Sequence, residues 1–95
     1  MANLVELYPT DTILLEDRAF LYMKDKNFDD ALIDLNKAIQ LNPSKAEFFI
    51  NRGVVKSELG EYKTAIEDFS ISINIDTTNK LAYFNRGNTQ HMLRN

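Results

Sequence analysis

The sequence has no cysteine and only one histidine, His91. Without cysteine the chain cannot form a disulfide, a thiolate metal site or a thiol nucleophile. A single imidazole with no second histidine at ligand spacing is more often a surface or capping residue than a metal ligand. No serine lies in a nucleophile motif, and no glycine-rich phosphate loop is present. We therefore expect no metal site, no cofactor and no enzymatic activity.

Long apolar runs and an excess of basic charge are also absent. The longest apolar runs, such as "AFLYM" and "FFI", are a few residues each, whereas a membrane helix needs about 20. The 11 basic residues are scattered and outnumbered by 14 acidic ones, which disfavours binding to the phosphates of nucleic acids. The first residues lack the basic start and apolar stretch of a signal peptide. We expect a cytoplasmic protein with neither a membrane nor a nucleic-acid partner.

The chain does have enough apolar residues for one packed core. Its 95 residues are 44% apolar and 26% charged, as in ordinary globular domains. A single core of this kind usually needs on the order of 100 residues. We therefore expect one domain over residues 1–95.

A repeat with a period of 34 residues runs through the chain. Arg18, Arg52 and Arg86 are 34 residues apart, and each is followed by a small residue, alanine in the first case and glycine in the other two. The same step links Leu15, Phe49 and Tyr83; Phe28 and Tyr62; Ala31 and Ala65; Leu35 and Phe69; Ile39 and Ile73; and Pro9 and Pro43. A period of this length is typical of helical repeats. The aliphatic stems of the arginines can pack while their charges reach water.

Within each period the apolar residues recur three or four positions apart, which is the spacing of an amphipathic helix. The predicted helices cover 12–25, 28–41, 46–59, 62–75 and 80–94. Gly60 permits a left-handed turn between two of them, and Ser44 with Glu47 forms a capping box. The short connections predict antiparallel neighbours, and the small residues after the arginines predict close contact between helices.

An acidic pair, Asp30 and Asp34, lies one helical turn apart and invites an acid/base or metal interpretation. The alternative is stronger, because Asp29 and Asp30 lie in the first turn of a predicted helix, where negative charge is favoured. We do not expect chemistry from these carboxylates.

The repeat resembles the tetratricopeptide repeat family in its order of aromatic, small and apolar residues. The residues that carry the resemblance are Ala19, Tyr22, Ala31, Ala38 and Pro43 in the first repeat and Phe49, Gly53, Ala65 and Phe69 in the second. The Asn-Arg-Gly stretches at 51–53 and 85–87 are similar to a variant of that repeat. The resemblance implies an all-α, right-handed superhelical solenoid of antiparallel helix-turn-helix repeats, with about five main helices.

The same resemblance divides the chain into segments. Residues 1–11 would be the end of a preceding repeat or an N-terminal arm, 12–45 the first repeat, 46–79 the second, and 80–95 the first helix of a third repeat or a capping helix.

In this family the first helices of the repeats line a concave groove that receives a peptide. Carried onto this sequence, the groove residues are Glu16, Phe20, Met23, Ile50, Asn51, Val54, Leu81, Phe84, Asn85 and Asn88. Asn51 and Asn85 lie one period apart, and their amides could hydrogen-bond a peptide backbone, although simple solvation is an equal alternative. The resemblance thus implies a non-catalytic protein–protein interaction module that binds a protein or peptide partner.

Some members of the family bind the acidic C-terminus of chaperones through a clamp of lysine, asparagine and arginine. Of the clamp positions only Asn51 matches here, and Glu16 would repel a terminal carboxylate. We expect an apolar or amphipathic peptide instead.

The alternative function is structural assembly. Repeat arrays are stabilised mainly by contacts between neighbours, and two complete repeats are few. The chain could therefore self-associate as a homo-oligomer or stack on further repeats through its incomplete terminal repeats.

Overall fold

The computed structural model describes the backbone of residues 2–95 and the side chains from Leu4 onward. Its helices are α1 (Ala2–Leu7), α2 (Thr12–Lys24), α3 (Phe28–Leu41), α4 (Ala46–Glu58), α5 (Tyr62–Ile75) and α6 (Lys80–Arg94). The described residues contain no strand, so the all-α prediction is confirmed. The five predicted helices agree with α2 to α6 to within one residue at each end. The short helix α1 lies in the segment expected to be the end of a repeat or an arm.

Side chains cap two of the first helices. Asp11 accepts hydrogen bonds from the amides of Ile13 and Leu14 at the start of α2, and Asn79 does the same for α6. Such caps satisfy amides that have no partner within the helix. The predicted capping box at Ser44 is wrong, because the N-cap of α4 is Lys45, which makes no side-chain cap hydrogen bond.

The turns between paired helices use the left-handed region of the backbone. Gly60 has φ of 81°, as its position after α4 predicts, and Lys26 has φ of 62° at the equivalent position after α2. Glycine adopts this conformation without a steric penalty, whereas lysine does so at some cost. The two repeats therefore turn in the same way with different residues.

The helices form two compact units, residues 1–43 and 44–95. In the first unit α2 and α3 pack as an antiparallel hairpin that buries Leu15, Ala19, Ala31 and Leu35. Burial of a large apolar side chain such as Leu35 contributes about 1.5–3 kcal/mol. That residues 1–95 act as a single domain stays a prediction.

The second unit contains the hairpin of α4 and α5 with α6 packed beside it. Its core combines Ile50 from α4, Phe69 and Ile73 from α5, and Ala82 from α6. A Cβ atom at Gly53 would lie 2.6 Å from Cε1 of Phe69. The predicted close contact at Gly53 is therefore confirmed, since only glycine leaves room for this ring.

Among the described residues, no helix combines the length and the apolar character that crossing a membrane requires.

Candidate binding surface

The predicted groove residues of the first unit lie on α2. Phe20 is exposed, while Glu16 and Met23 are half-buried. Nζ of Lys24 lies 5.7 Å from the centre of the Phe20 ring, and the exposed ring is a surface that an apolar side chain could cover.

In the second unit the structure separates the predicted residues by burial. Leu81 and Phe84 of α6 are exposed, the latter at 64%, and can contact a partner. Ile50 is only 4% exposed and belongs to the core with Phe69. The assignment of Ile50 to a binding surface is corrected for this reason: its side chain is almost fully covered and packs in the core cluster with Phe69. Val54, one turn later, is partly buried against the same core.

A cavity of about 180 Å³ lies between α4 and α6. Its lining residues are Val54, Ser57, Glu58, Phe69, Asn85, Asn88 and Thr89. Three of these, Val54, Asn85 and Asn88, are predicted groove residues that the structure brings together.

A hydrogen-bonded pair holds the two helices at this cavity. The hydroxyls of Ser57 on α4 and Thr89 on α6 are 3.3 Å apart, and Thr89 also donates to the carbonyl of Asn85 at 2.8 Å. Thr89 is buried. Its burial is possible because both of its hydroxyl contacts are made within the protein.

The amides of Asn85 and Asn88 are the polar groups that this cavity offers. In residues 4–95 no side chain or backbone group hydrogen-bonds either amide, and Asn88 is exposed. Each amide carries two donor hydrogens and an acceptor oxygen. Asn51 does not line the cavity; it is half-buried on α4 and has its own interaction.

The lining of the cavity carries negative charge. Glu58 is its single charged residue, and no described lysine or arginine lines it. Coulomb repulsion therefore disfavours a carboxylate in this cavity.

Sequence reasoning missed the ion pairs that join the two helices of each hairpin. Nε and Nη2 of Arg18 donate to Oδ2 and Oδ1 of Asp34 at 2.7 and 2.6 Å, and Arg52 makes the same forked contact with Asp68 at 2.9 and 2.8 Å. Lys56 adds a contact of 3.1 Å to Asp68. Paired planar contacts of this kind are among the stronger hydrogen bonds in proteins.

The arginine–aspartate pairs add to one prediction, and their spacing is visible in the sequence. The arginine side chains remain 21% and 19% exposed, but two nitrogens of each end on a buried carboxylate, a partner that the sequence-based prediction did not include. The hydrogen bond from Arg18 to Asp34, with the negative charge of Asp34, raises the pKa of the Arg18 guanidinium. Asp34 and Asp68 lie 34 residues apart, each 16 residues after its arginine, and that spacing could have revealed the pairs.

The described residues contain no group of three or more histidine, cysteine, aspartate or glutamate side chains placed to hold a metal ion. What the second unit presents instead is a polar cavity beside exposed apolar side chains, which is an arrangement suited to binding.

Comparison with known sequences supports the repeat. The family model of the tetratricopeptide repeat matches residues 13–45. Human "Tetratricopeptide repeat protein 6" is 32% identical over 84 residues, which are 88% of this chain and 16% of that protein. The chain spans between 16% and 20% of the length of the first curated relatives that it matches.

Solved structures with this fold include two domains at 27% identity. The TPR domain of Arabidopsis OM64 has a TM-score of 0.84, and the alignment covers 86% of this chain and 68% of that one. The second TPR domain of human RPAP3, solved in complex with the HSP70 peptide SGPTIEEVD, has a TM-score of 0.83 with the same coverage of 86% and 68%. Because it has the 34-residue period, the helical hairpins and these matches, the chain belongs to the tetratricopeptide repeat family.

Proposed function

We propose that this chain is a non-catalytic protein-interaction module that holds a peptide segment of a partner protein, and that the cavity between α4 and α6 is its main contact point. The observation that carries the proposal is the pair of amides at Asn85 and Asn88, which no described residue engages. Polar groups beside an apolar surface are the usual composition of a site that must both bind and orient a ligand.

The amides would hold the backbone of the peptide. A peptide group has one donor and one acceptor, and an asparagine amide can satisfy both. Two asparagines three positions apart on one helix, Asn85 and Asn88, lie on the same side of it. They would fix an extended segment without reading its side chains.

Apolar contacts would supply most of the affinity. Leu81 and Phe84 are exposed on α6, and Val54 forms an apolar part of the cavity lining. Covering large exposed apolar side chains is favourable by about 25 cal/mol for each Å² removed from water. We therefore propose an apolar or amphipathic peptide as the partner segment.

The charge of the cavity argues against an acidic C-terminal peptide as the ligand. The RPAP3 domain was solved with a peptide that ends in EEVD, and such a peptide carries several carboxylates. Here Glu58 lines the cavity, and Glu16 lies on α2 where a clamp would need lysine. The proposed partner segment is therefore one with few negative charges.

Fluorescence anisotropy with matched peptides tests this preference. The probes are SGPTIEEVD and SGPTIQQVN, in which amides replace the three carboxylate side chains. A set of short amphipathic peptides with alternating apolar and polar residues is measured beside them. We expect SGPTIEEVD to bind no more tightly than SGPTIQQVN and the best amphipathic peptide to bind more tightly than both. Clearly tighter binding of the acidic peptide would contradict the proposed ligand class.

Substitution of the two amides tests the site. In the double variant Asn85→Ala/Asn88→Ala we expect the affinity for the best amphipathic peptide to fall about tenfold or more, since two hydrogen bonds are lost. Asn74→Ala, which changes an exposed asparagine on α5, is the control and should bind like the parent chain. Equal binding by the double variant, with an unchanged circular dichroism spectrum, would show that the site lies elsewhere.

A further inference from the structure

Two hydroxyl groups at the cavity between α4 and α6 form a chain of hydrogen bonds whose direction is fixed. Oγ1 of Thr89 lies 2.8 Å from the backbone carbonyl oxygen of Asn85. Because a carbonyl can only accept, the single hydroxyl hydrogen of Thr89 points to it. The contact of 3.3 Å between the hydroxyls of Ser57 and Thr89 then requires Ser57 to donate. Both hydroxyl hydrogens are therefore used within the protein.

This direction leaves Ser57 with acceptor capacity alone. A hydroxyl group has one hydrogen and two acceptor lone pairs, and the hydrogen of Ser57 is directed to Thr89. Ser57 is half-buried and lines the cavity. A group that enters the cavity beside Ser57 can donate a hydrogen bond to its oxygen but cannot accept one from it.

The next residue on α4, Glu58, adds a carboxylate without a counter-charge. Glu58 is exposed and lines the same cavity. Within the described part of the chain no lysine, arginine or histidine forms an ion pair with it. An ionised carboxylate is a pure acceptor. Ser57 and Glu58 therefore both require a donor, and the negative charge of Glu58 favours a positively charged one.

The size and the apolar lining of the cavity suit one long side chain. Val54 and Phe69 contribute the apolar part of the lining. The volume of about 180 Å³ is below the roughly 300 Å³ at which pockets for whole small molecules begin. Lysine and arginine side chains combine an aliphatic stem with a charged head that only donates hydrogen bonds. Their composition matches an apolar lining next to acceptor groups.

We propose that the cavity receives the side chain of a lysine or arginine of the partner segment. The stem packs against Val54 and Phe69, and the charged head donates to Ser57 and Glu58. This inference rests on the proposed function, because it concerns the same cavity, and it adds that the bound segment carries a positive charge. A metal ion is a poorer occupant: Glu58 is the single carboxylate of the lining, whereas calcium takes about six to eight oxygen ligands.

Four matched peptides test the charge. They have the sequence SGPTIXQVN, in which X is lysine, arginine, glutamine or norleucine, with the same neutral dye at the N-terminus and an amide at the C-terminus. Their binding to the intact chain is measured by fluorescence anisotropy. We expect the lysine and arginine peptides to bind about tenfold more tightly than the other two, because hydrogen bonds that involve a charged group are the stronger ones. Added salt should reduce this difference.

The variant Glu58→Gln tests where the charge is recognised. It should bind the lysine and arginine peptides about tenfold more weakly than the parent chain does, and the glutamine peptide equally well. Glu67→Gln, which removes an exposed carboxylate of α5 outside the cavity, changes the net charge by the same amount and should bind all four peptides like the parent chain. A preference for basic peptides that persists in Glu58→Gln would overturn the proposal.

The variant Thr89→Val tests the direction of the hydroxyl chain. It removes the acceptor of Ser57, so the hydrogen of Ser57 becomes free to point into the cavity. The ratio of the affinities for the lysine and glutamine peptides should then fall. Ser57→Ala, which leaves Thr89 in place, should lower the same ratio, and circular dichroism checks that both variants fold. Unchanged ratios in both variants would overturn the role of the hydroxyls.

The inference and the proposed function fail by different results. Equal binding of all four peptides by the parent chain overturns the inference and leaves the amide site intact. Unchanged binding of every peptide by Asn85→Ala/Asn88→Ala overturns the proposed function.

Discussion

The hairpins α2–α3 and α4–α5 solve the same packing problem with different side chains. Both keep the forked arginine–aspartate pair at the same positions. At the contact beside this ion pair, the first hairpin has Ala19 and Leu35, which are both buried, whereas the second has Gly53 and Phe69. One methyl group removed from the first helix accommodates a larger side chain on the second. The comparison indicates that the charge pair sets the register of the hairpin, while the volume beside it can be redistributed.

The charge pairs themselves differ in one respect. Asp68 receives Arg52 and also Lys56, with Nζ at 3.1 Å, whereas Tyr22 stands at the position of Lys56 in the first hairpin. In the described residues Asp34 has Arg18 as its single cationic partner. Removal of the aspartate therefore leaves two partly buried cations without a counter-charge in the second hairpin and one in the first.

The largest expected effect is the loss of these aspartates. For Asp68→Ala we expect the free energy of unfolding to fall by about 3–5 kcal/mol, because breaking a buried ion pair leaves its partner charged and desolvated. For Asp34→Ala the expected decrease in the free energy of unfolding lies at or below the lower end of that range. Urea denaturation at neutral pH measures both. Asp29→Ala, which removes an exposed carboxylate from the first turn of α3, is the control and should cost about 1 kcal/mol or less. Equal losses for all three variants would mean that the pairs do not set the hairpin register.

The second-largest effect on stability is expected from changing the sizes of the two residues in contact, Gly53 and Phe69. Gly53→Ala places a Cβ atom 2.6 Å from the ring of Phe69, and such overpacking costs about 1–3 kcal/mol, which exceeds the roughly 1 kcal/mol that alanine gains in helix propensity. The double variant Gly53→Ala/Phe69→Leu reproduces the contact of the first hairpin. We expect it to be more stable than the sum of the two single changes predicts, as measured by thermal and urea unfolding. Strict additivity would refute the compensation.

An alanine at Gly87 should change the free energy of unfolding in the opposite direction from an alanine at Gly53. Because nothing lies within 4 Å of its Cβ position, Gly87→Ala should raise the free energy of unfolding by about 0.5–1 kcal/mol. Destabilisation at this position would show that side chains of the isolated chain already fill the space beside Gly87.

The sequence was sufficient to predict the helices but not the contacts between them. Periodicity located α2 to α6 because each helix has one apolar side, and the φ of Gly60 followed from its position after a helix. The cap at Ser44 was assigned wrongly because a serine followed three residues later by a glutamate satisfies the local pattern, while the N-cap position of α4 is the next residue, Lys45.

The candidate site shows the same limit. Ile50 was assigned to the surface from its position in the repeat, although its burial depends on α5 and α6. The ion pairs were missed because acidic residues were compared only within one helix, as Asp30 was with Asp34. The partner of Asp34 lies 16 residues away on another helix, and such a pair can be recognised only once the hairpin register is known.

The smallest effect concerns the residues that follow the two hairpins. The first ends in Asn42 and Pro43, whereas the second has Asp76, whose Oδ1 accepts from the amide and the hydroxyl of Thr78 at 3.0 and 2.6 Å. The hydroxyl and the amide of Thr78 lower the pKa of Asp76. The contribution of this turn is therefore complete above the ordinary aspartate pKa of about 3.9 and is lost as the pH falls through the lower pKa of the folded state.

Thr78→Val should therefore lower stability slightly at neutral pH, and the difference from the parent chain should vanish in acid. In an Asp76→Asn background, which restores the amide of the first hairpin, Thr78→Val should have the same effect at every pH, because no proton is bound or released. Urea unfolding across the acid range measures both differences. If the single variant differs from its parent by a constant amount down to the lowest pH at which the chain folds, the ionised carboxylate of Asp76 does not stabilise the turn.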